Sequence, residues 1–228
     1  MKNLVGSHDP HIDYLVNKLK SCTGIINRIR DNIPASMHKS IYHTLFESHL
    51  SYGITVWGGI SKSKLGPLIT IQKKCIRILF GDKSAYLNKY STCARTRSIV
   101  NQTLGDKFFT KEHTKPLFNK NMIFTLQNLY YYHMTLNTYK ILNTRVPISL
   151  YSMFTLSKRK ETLLITPFPS KNFAYNACCI WNNIRELLSV NEFGVNTSKI
   201  KNYLRKLLYT RQNLGDQQEW SAEIFLLR

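Results

Sequence analysis

Between residues 10 and 32 the apolar side chains fall at Ile12, Leu15, Val16, Leu19, Cys22, Ile26 and Ile29. Steps of three and four residues put them on one face of a helix. Asp9 is a good N-cap with Pro10 at the first helical position, and Pro34 ends the segment. The same period returns over about 36–52. Met37, Ile41, Leu45 and His49 form one stripe there, and Tyr42, Phe46 and Leu50 the adjacent one. Gly53 breaks this helix, Ile54 to Trp57 reads as extended or as a last apolar turn, and Gly58-Gly59 signals a loop. A third helix is expected over 63–80, with Ser63 as N-cap, Pro67 in the first turn and Gly81 as the stop. Its buried face is Leu65, Leu68, Ile69, Gln72, Cys75, Ile76, Leu79 and Phe80. Short connections imply an antiparallel three-helix bundle. Its expected core includes Leu15, Leu19, Ile26, Leu45, Leu68, Ile76 and Leu79.

Downstream the pattern is looser. Residues 82–116 have weak periodicity and many Lys and Arg, and read as a basic linker or insertion. A helix is expected over 121–143, with Leu126, Leu129, Tyr130, His133, Leu136, Tyr139, Lys140 and Leu142 around its buried side. Pro147 opens a short helix, 161–166 is an apolar β-leaning run, and 173–188 is a helix around Trp181. The last helix spans about 198–209. Ile200, Tyr203, Leu204, Leu207 and Leu208 face inward, and Lys199, Lys201, Arg205 and Lys206 face outward. The fold class is therefore mainly α, a three-helix bundle followed by a helical C-terminal region with one short β-leaning segment. The expected divisions are 1–81, 82–116 and 117–228.

Composition narrows the function. The chain carries 32 Lys+Arg against 13 Asp+Glu, a net charge of +19. The excess is spread over both halves, so it is no basic arm appended to a neutral domain. Such a charge destabilises the compact state unless a polyanion is nearby, and it points to DNA, RNA or an acidic membrane, with nucleic acid favoured. No window reaches the roughly 18 apolar residues of a membrane helix, and no secretory signal opens the chain. The location expected is nuclear or cytoplasmic. Five cysteines, an odd number, suit a reducing compartment better than a disulfide framework.

Chemistry-bearing motifs are absent from the sequence. It has no Gly-rich phosphate loop, no G-x-S-x-G elbow and no H-E-x-x-H. Its carboxylates are scattered, with no Asp-Asp pair to hold two Mg²⁺ ions. Cys22, Cys75, Cys93, Cys178 and Cys179 lack zinc-ligand spacing, and His8, His11 and Asp13 read as helix-capping and solvated side chains. No catalytic residue, metal or cofactor is expected. Candidate nucleic-acid-binding residues are Lys73, Lys74 and Arg77, which share one arc of the third helix, and Lys158, Arg159 and Lys160. The latter run is either a phosphate clamp or a solvated turn. Trp57 and Trp181 are core residues or base-stacking platforms, with core favoured.

Ser48-His49-Leu50-Ser51-Tyr52-Gly53, followed by Val56-Trp57-Gly58, resembles the S-H-L-x-Y-G-x-x-V-W-G signature of jockey-type non-LTR retrotransposon reverse transcriptases. His11-Ile12-Asp13-Tyr14-Leu15 and Arg28-Ile29-Arg30 are similar to the family's first post-palm helix. Gln72-Lys73-Lys74-Cys75-Ile76-Arg77 resembles its Q-K-[KR]-x-[IVL]-R helix. Glu112-His113-Thr114-Lys115-Pro116-Leu117-Phe118 is similar to its H-T-x-P-L-F segment, and Ile180-Trp181-Asn182 to its L-W-N segment. These motifs cover nearly the whole chain in the family's order.

The resemblance implies a thumb-like bundle and a downstream helical region of an RNA-directed DNA polymerase, with RNA and DNA as partners in a primer–template duplex or RNA–DNA hybrid. The palm's Y-x-D-D aspartates, the fingers and the endonuclease have no positions here, so the expectation is a non-catalytic fragment. Met1 followed at once by post-palm sequence suggests a truncated element copy or a short gene model. Two other readings stand beside it: a host-encoded helical nucleic-acid-binding module, and an inert remnant of the element.

Overall fold

The computed structural model describes residues 9–81, 114–144, 147–157, 164–166, 173–188 and 197–214. It is mainly helical, and its contacts divide the chain into two compact units that interleave in sequence. The first is Met1–Tyr52 with Lys62–Thr125, and the second is Gly53–Ser61 with Leu126–Arg228. This division differs from a cut after residue 81. The apolar turn 54–57 packs with the second unit, and 114–125 packs with the first.

In the first unit, α1 spans Pro10–Ile29, and the Asp9 carboxylate accepts the His11 amide hydrogen at 3.1 Å, as a cap should. A 3₁₀ turn, Arg30–Asn32, extends it. After Pro34 and a second 3₁₀ turn, Ala35–Met37, comes a continuous helical rod. It consists of α2 (His38–Ile41), a π-helical stretch (Tyr42–Glu47) and α3 (Ser48–Ser51). A π turn holds more residues than an α turn, so residues four apart stay nearly in line along the axis. That keeps Tyr42, Phe46 and Leu50 pointing inward together, all fully buried. The expected core position Leu45 is turned aside and only half-buried, and Met37 in the same stripe is exposed. The stripe adjacent to the one chosen from periodicity is the core.

After the second-unit helix α4 (Ile54–Trp57), the chain returns to the first unit in α5, Lys62–Phe80. It begins before Ser63, so Ser63 lies in its first turn and Pro67 lies two residues deeper than expected. Pro67 has no N–H to offer the preceding turn, and it sits on the solvent side of the helix. Leu65, Leu68, Ile71, Gln72, Cys75, Ile76, Ile78 and Leu79 are buried. Ile69 and Phe80 are half-buried, and Ile71 and Ile78, unassigned from the sequence, take their place against α1.

Arg30 at the end of α1 donates from Nη2 to the Gly81 carbonyl at 2.9 Å, placing a cation at the C-terminal end of α5. The two helices therefore run in the same direction. The rod opposes α5: His38 at its start meets Phe80 at the end of α5, edge to face at 6.2 Å.

Residues 114–120, expected as linker or its edge, form a short helix, α6 (Thr114–Lys120), packed on α5. Its end explains why the next helix starts at Leu126 and not at residue 121. Ile123 N–H donates to the Phe118 carbonyl at 3.0 Å and Met122 N–H to Asn119 at 3.1 Å. This is a Schellman closure with Met122 in the left-handed position, φ 51°. Methionine there costs about 1 kcal/mol, offset by burial of Ile123 beside Phe118.

The second unit is built on α7, Leu126–Thr144. Apolar residues occur all round it, which marks a central helix. Tyr130, Tyr131 and Tyr132 are all buried, as are Met134, Thr135, Thr138 and Ile141, whereas Lys140 is exposed and His133 half-buried, contrary to expectation. Around it pack α4, α8 (Ile148–Tyr151), α9 (Phe173–Leu188) and α10 (Thr197–Leu214).

Trp181 is fully buried and stacks on Tyr139 at 6.4 Å, and Trp57 is buried as well, so both are core and neither is a stacking platform. Within the described part of the β-leaning run, Leu164 forms an isolated bridge with Leu156. The Asn182 amide completes it by accepting Leu164 N–H at 2.9 Å and donating to the Leu164 carbonyl at 2.8 Å, as a neighbouring strand would. Tyr203, expected inside, is exposed on α10.

Phe46→Ala should therefore cost about 3–5 kcal/mol. Leu45→Ala should cost less than half as much. Urea denaturation of the two variants checks this, and equal losses would contradict the π-turn account.

Candidate nucleic-acid interface

Gln72 sets the direction in which α5 presents its charges. Its side chain is 1 % exposed, and Nε2 donates to the Tyr42 hydroxyl at 2.9 Å and to the Phe124 carbonyl at 3.0 Å. A buried amide without partners costs about 1–3 kcal/mol, so rotation of α5 away from these acceptors is disfavoured. With Gln72 inward, Lys73 and Lys74 next to it are exposed and Arg77 is half-buried.

Of the three, Lys74 enters a groove of about 340 Å³ between α1 and α5, lined by Lys20, Thr23, Gly24, Asn27, Ile71, Lys74 and Ile78. Lys73 and Arg77 stand beside it, one turn apart on α5. Ile71, Ile78 and Thr23 make the buried floor, and Thr23 Oγ1 donates to the Leu19 carbonyl at 2.7 Å. Lys20, Asn27 and Lys74 are exposed at the rim. Lysines from two helices thus line one concave strip, with Asn27 beside them. Like charges arranged this way favour an anion between them.

Gly24 lies at an open position of the groove, where an added methyl group would meet nothing within 4 Å. Lys20 and Asn27 are absent from the sequence-based candidates. The signal for them is the Lys20–Gly24–Asn27 spacing along α1, which acquires meaning only once α1 lies beside α5. Lys158, Arg159 and Lys160 lie outside the described residues.

Four residues of the signature around Tyr52 serve packing and backbone geometry, whereas Tyr52 and Val56 are exposed. Leu50 is in the first core and Trp57 in the second, and Gly53 takes φ 62°, a left-handed geometry that L side chains rarely adopt. Gly58 lies against the Tyr130 ring, where an added Cβ would come within 2.5 Å of both that ring and the Ile54 carbonyl.

The four described cysteines, Cys22, Cys75, Cys178 and Cys179, are buried free thiols. Burial pushes Cys178 up to about 12, with a further rise from Cys179, and pushes Cys75 up as well, so neither is a nucleophile at neutral pH. Among the described residues no three His, Cys, Asp or Glu side chains converge on a metal position. No helix among them is long and apolar enough to cross a membrane.

One substitution should act with opposite signs at two glycines. Gly24→Ala, inside a helix and facing open space, should stabilise by about 0.5–1 kcal/mol. Gly58→Ala should destabilise by about 1–3 kcal/mol through overpacking. Urea midpoints of the two variants decide this; a neutral Gly58→Ala contradicts the close approach to Tyr130. No family model, curated protein or solved structure matches the chain.

Proposed function

We propose that this chain is a non-catalytic post-palm region of a non-LTR retrotransposon RNA-directed DNA polymerase, and that it holds nucleic acid through its phosphates without reading sequence. The observation carrying this reading is the groove between α1 and α5, where Lys20 and Lys74 face one strip from two helices. Lys73 and Arg77 extend the positive surface along α5, in a chain with a net charge of +19. Cations that converge on a groove suit the regularly spaced phosphates of a primer–template duplex or RNA–DNA hybrid. The motifs resembling the retroelement family supply the biological setting, and element RNA and DNA in the nucleus or cytoplasm are the partners this reading names.

Binding of this kind depends steeply on salt, because each neutralised phosphate releases counterions. Reversing Lys73, Lys74 and Arg77 to Glu should weaken binding to all duplex sequences alike. It should also flatten the log–log salt slope by roughly two to three units. Anisotropy titrations with duplex DNA and RNA–DNA hybrid at several salt concentrations measure both quantities. A triple variant with the parent's affinity and slope overturns the assignment to α5.

A further inference from the structure

The last helix of the second unit carries a different surface. α10 contains no carboxylate, and Ile200, Leu204 and Leu208 bury its inner face. Its end is tied to α7 where Asn128 Nδ2 donates to Gln212 Oε1 at 2.9 Å. Lys199, Asn202, Arg205 and Lys206 are exposed on the other side. Tyr203, 39 % exposed, stands among them, with Lys199 four residues before it and Lys206 three after. Those spacings place both lysines beside the ring on one helix face. The Arg205 guanidinium lies 5.8 Å from the centroid of the Tyr132 ring, which holds it against the helix surface by a cation–π contact.

We infer that this face of α10 binds single-stranded nucleic acid, with an unpaired base stacked on Tyr203 and the flanking phosphates held by Lys199 and Lys206. The aromatic ring selects this ligand. In a duplex the bases are stacked on one another and only phosphates are offered to lysines, whereas an unpaired base has a free π-face for the ring. An acidic peptide would use the lysines equally well but would gain little from the ring. The site differs from the groove between α1 and α5 in position, residues and ligand form, so its fate does not depend on that groove.

Anisotropy of the full chain with labelled oligouridylate and with a DNA duplex of equal length tests this. Tyr203→Ala should weaken oligouridylate binding about tenfold and leave duplex affinity unchanged. Tyr203→Phe should retain oligouridylate binding, and Lys199→Glu with Lys206→Glu should lose it. Lys20→Glu with Lys74→Glu should spare oligouridylate while weakening duplex.

Far-UV dichroism identifies any misfolded Tyr203→Ala protein, in which case the Phe variant and the charge reversals carry the decision. The inference is overturned if the parent does not bind oligouridylate or if folded Tyr203→Ala binds it as the parent does. It is also overturned if duplex affinity falls in step, or if polyglutamate binds the parent with the same sensitivity to Tyr203→Ala.

Discussion

The first unit depends on one buried amide. Gln72 cannot be solvated where it lies, and its two acceptors belong to different segments, the π turn at Tyr42 and the non-helical backbone at Phe124. Satisfying both ties α5 to the rod on one side and to the segment after α6 on the other. It also fixes the rotation of α5 about its own axis. The apolar face could slide by a fraction of a turn at small cost, because dispersion and hydrophobic burial are not directional. A hydrogen-bonded amide in a dry core is directional and restricts that freedom. The orientation of Lys73, Lys74 and Arg77 toward solvent follows from it.

In the second unit the corresponding constraints are steric and local. Gly58 admits the Tyr130 ring, and Asn182 substitutes for a strand by pairing with both main-chain polar groups of Leu164. The asparagine removes the cost of burying an irregular segment whose N–H and C=O would otherwise lack partners. Leu50, Gly53, Trp57, Gly58 and Asn182, which look like parts of a family signature, are thus accounted for by packing and backbone geometry.

Much of the helical layout was legible because the period of apolar residues is a direct projection of helix geometry. α1, the α2–α3 rod, α5, α9 and α10 appear near their expected places. What was not legible has specific causes. A π turn leaves no mark in composition, so periodicity points to Leu45 although the Tyr42–Phe46–Leu50 stripe forms the core. The Met122 closure uses a residue with no turn propensity, so the helix beginning at Leu126 was expected to begin at residue 121. Periodicity turns Tyr203 and Lys140 inward, but a stripe read at 100° per residue is wider than the strip its neighbours cover, and both are exposed. On the candidate site, Lys73, Lys74 and Arg77 could be read from one helix alone. Lys20 and Asn27 could not, since a groove belongs to a pair of helices and the pairing of α1 with α5 is a tertiary fact.

Packing of α1 on α5 brings Lys20 and Lys74 to one groove, and the proposed phosphate binding requires that they act there as one strip. Residues that share a ligand couple energetically, and residues that act independently add. The direct measurement is a double-mutant cycle of Lys20→Ala and Lys74→Ala on duplex affinity at low salt. The account predicts a coupling of about 0.5 kcal/mol or more, with the second substitution costing less once the first is made. Strictly additive losses, or no loss from Lys20→Ala, would contradict it.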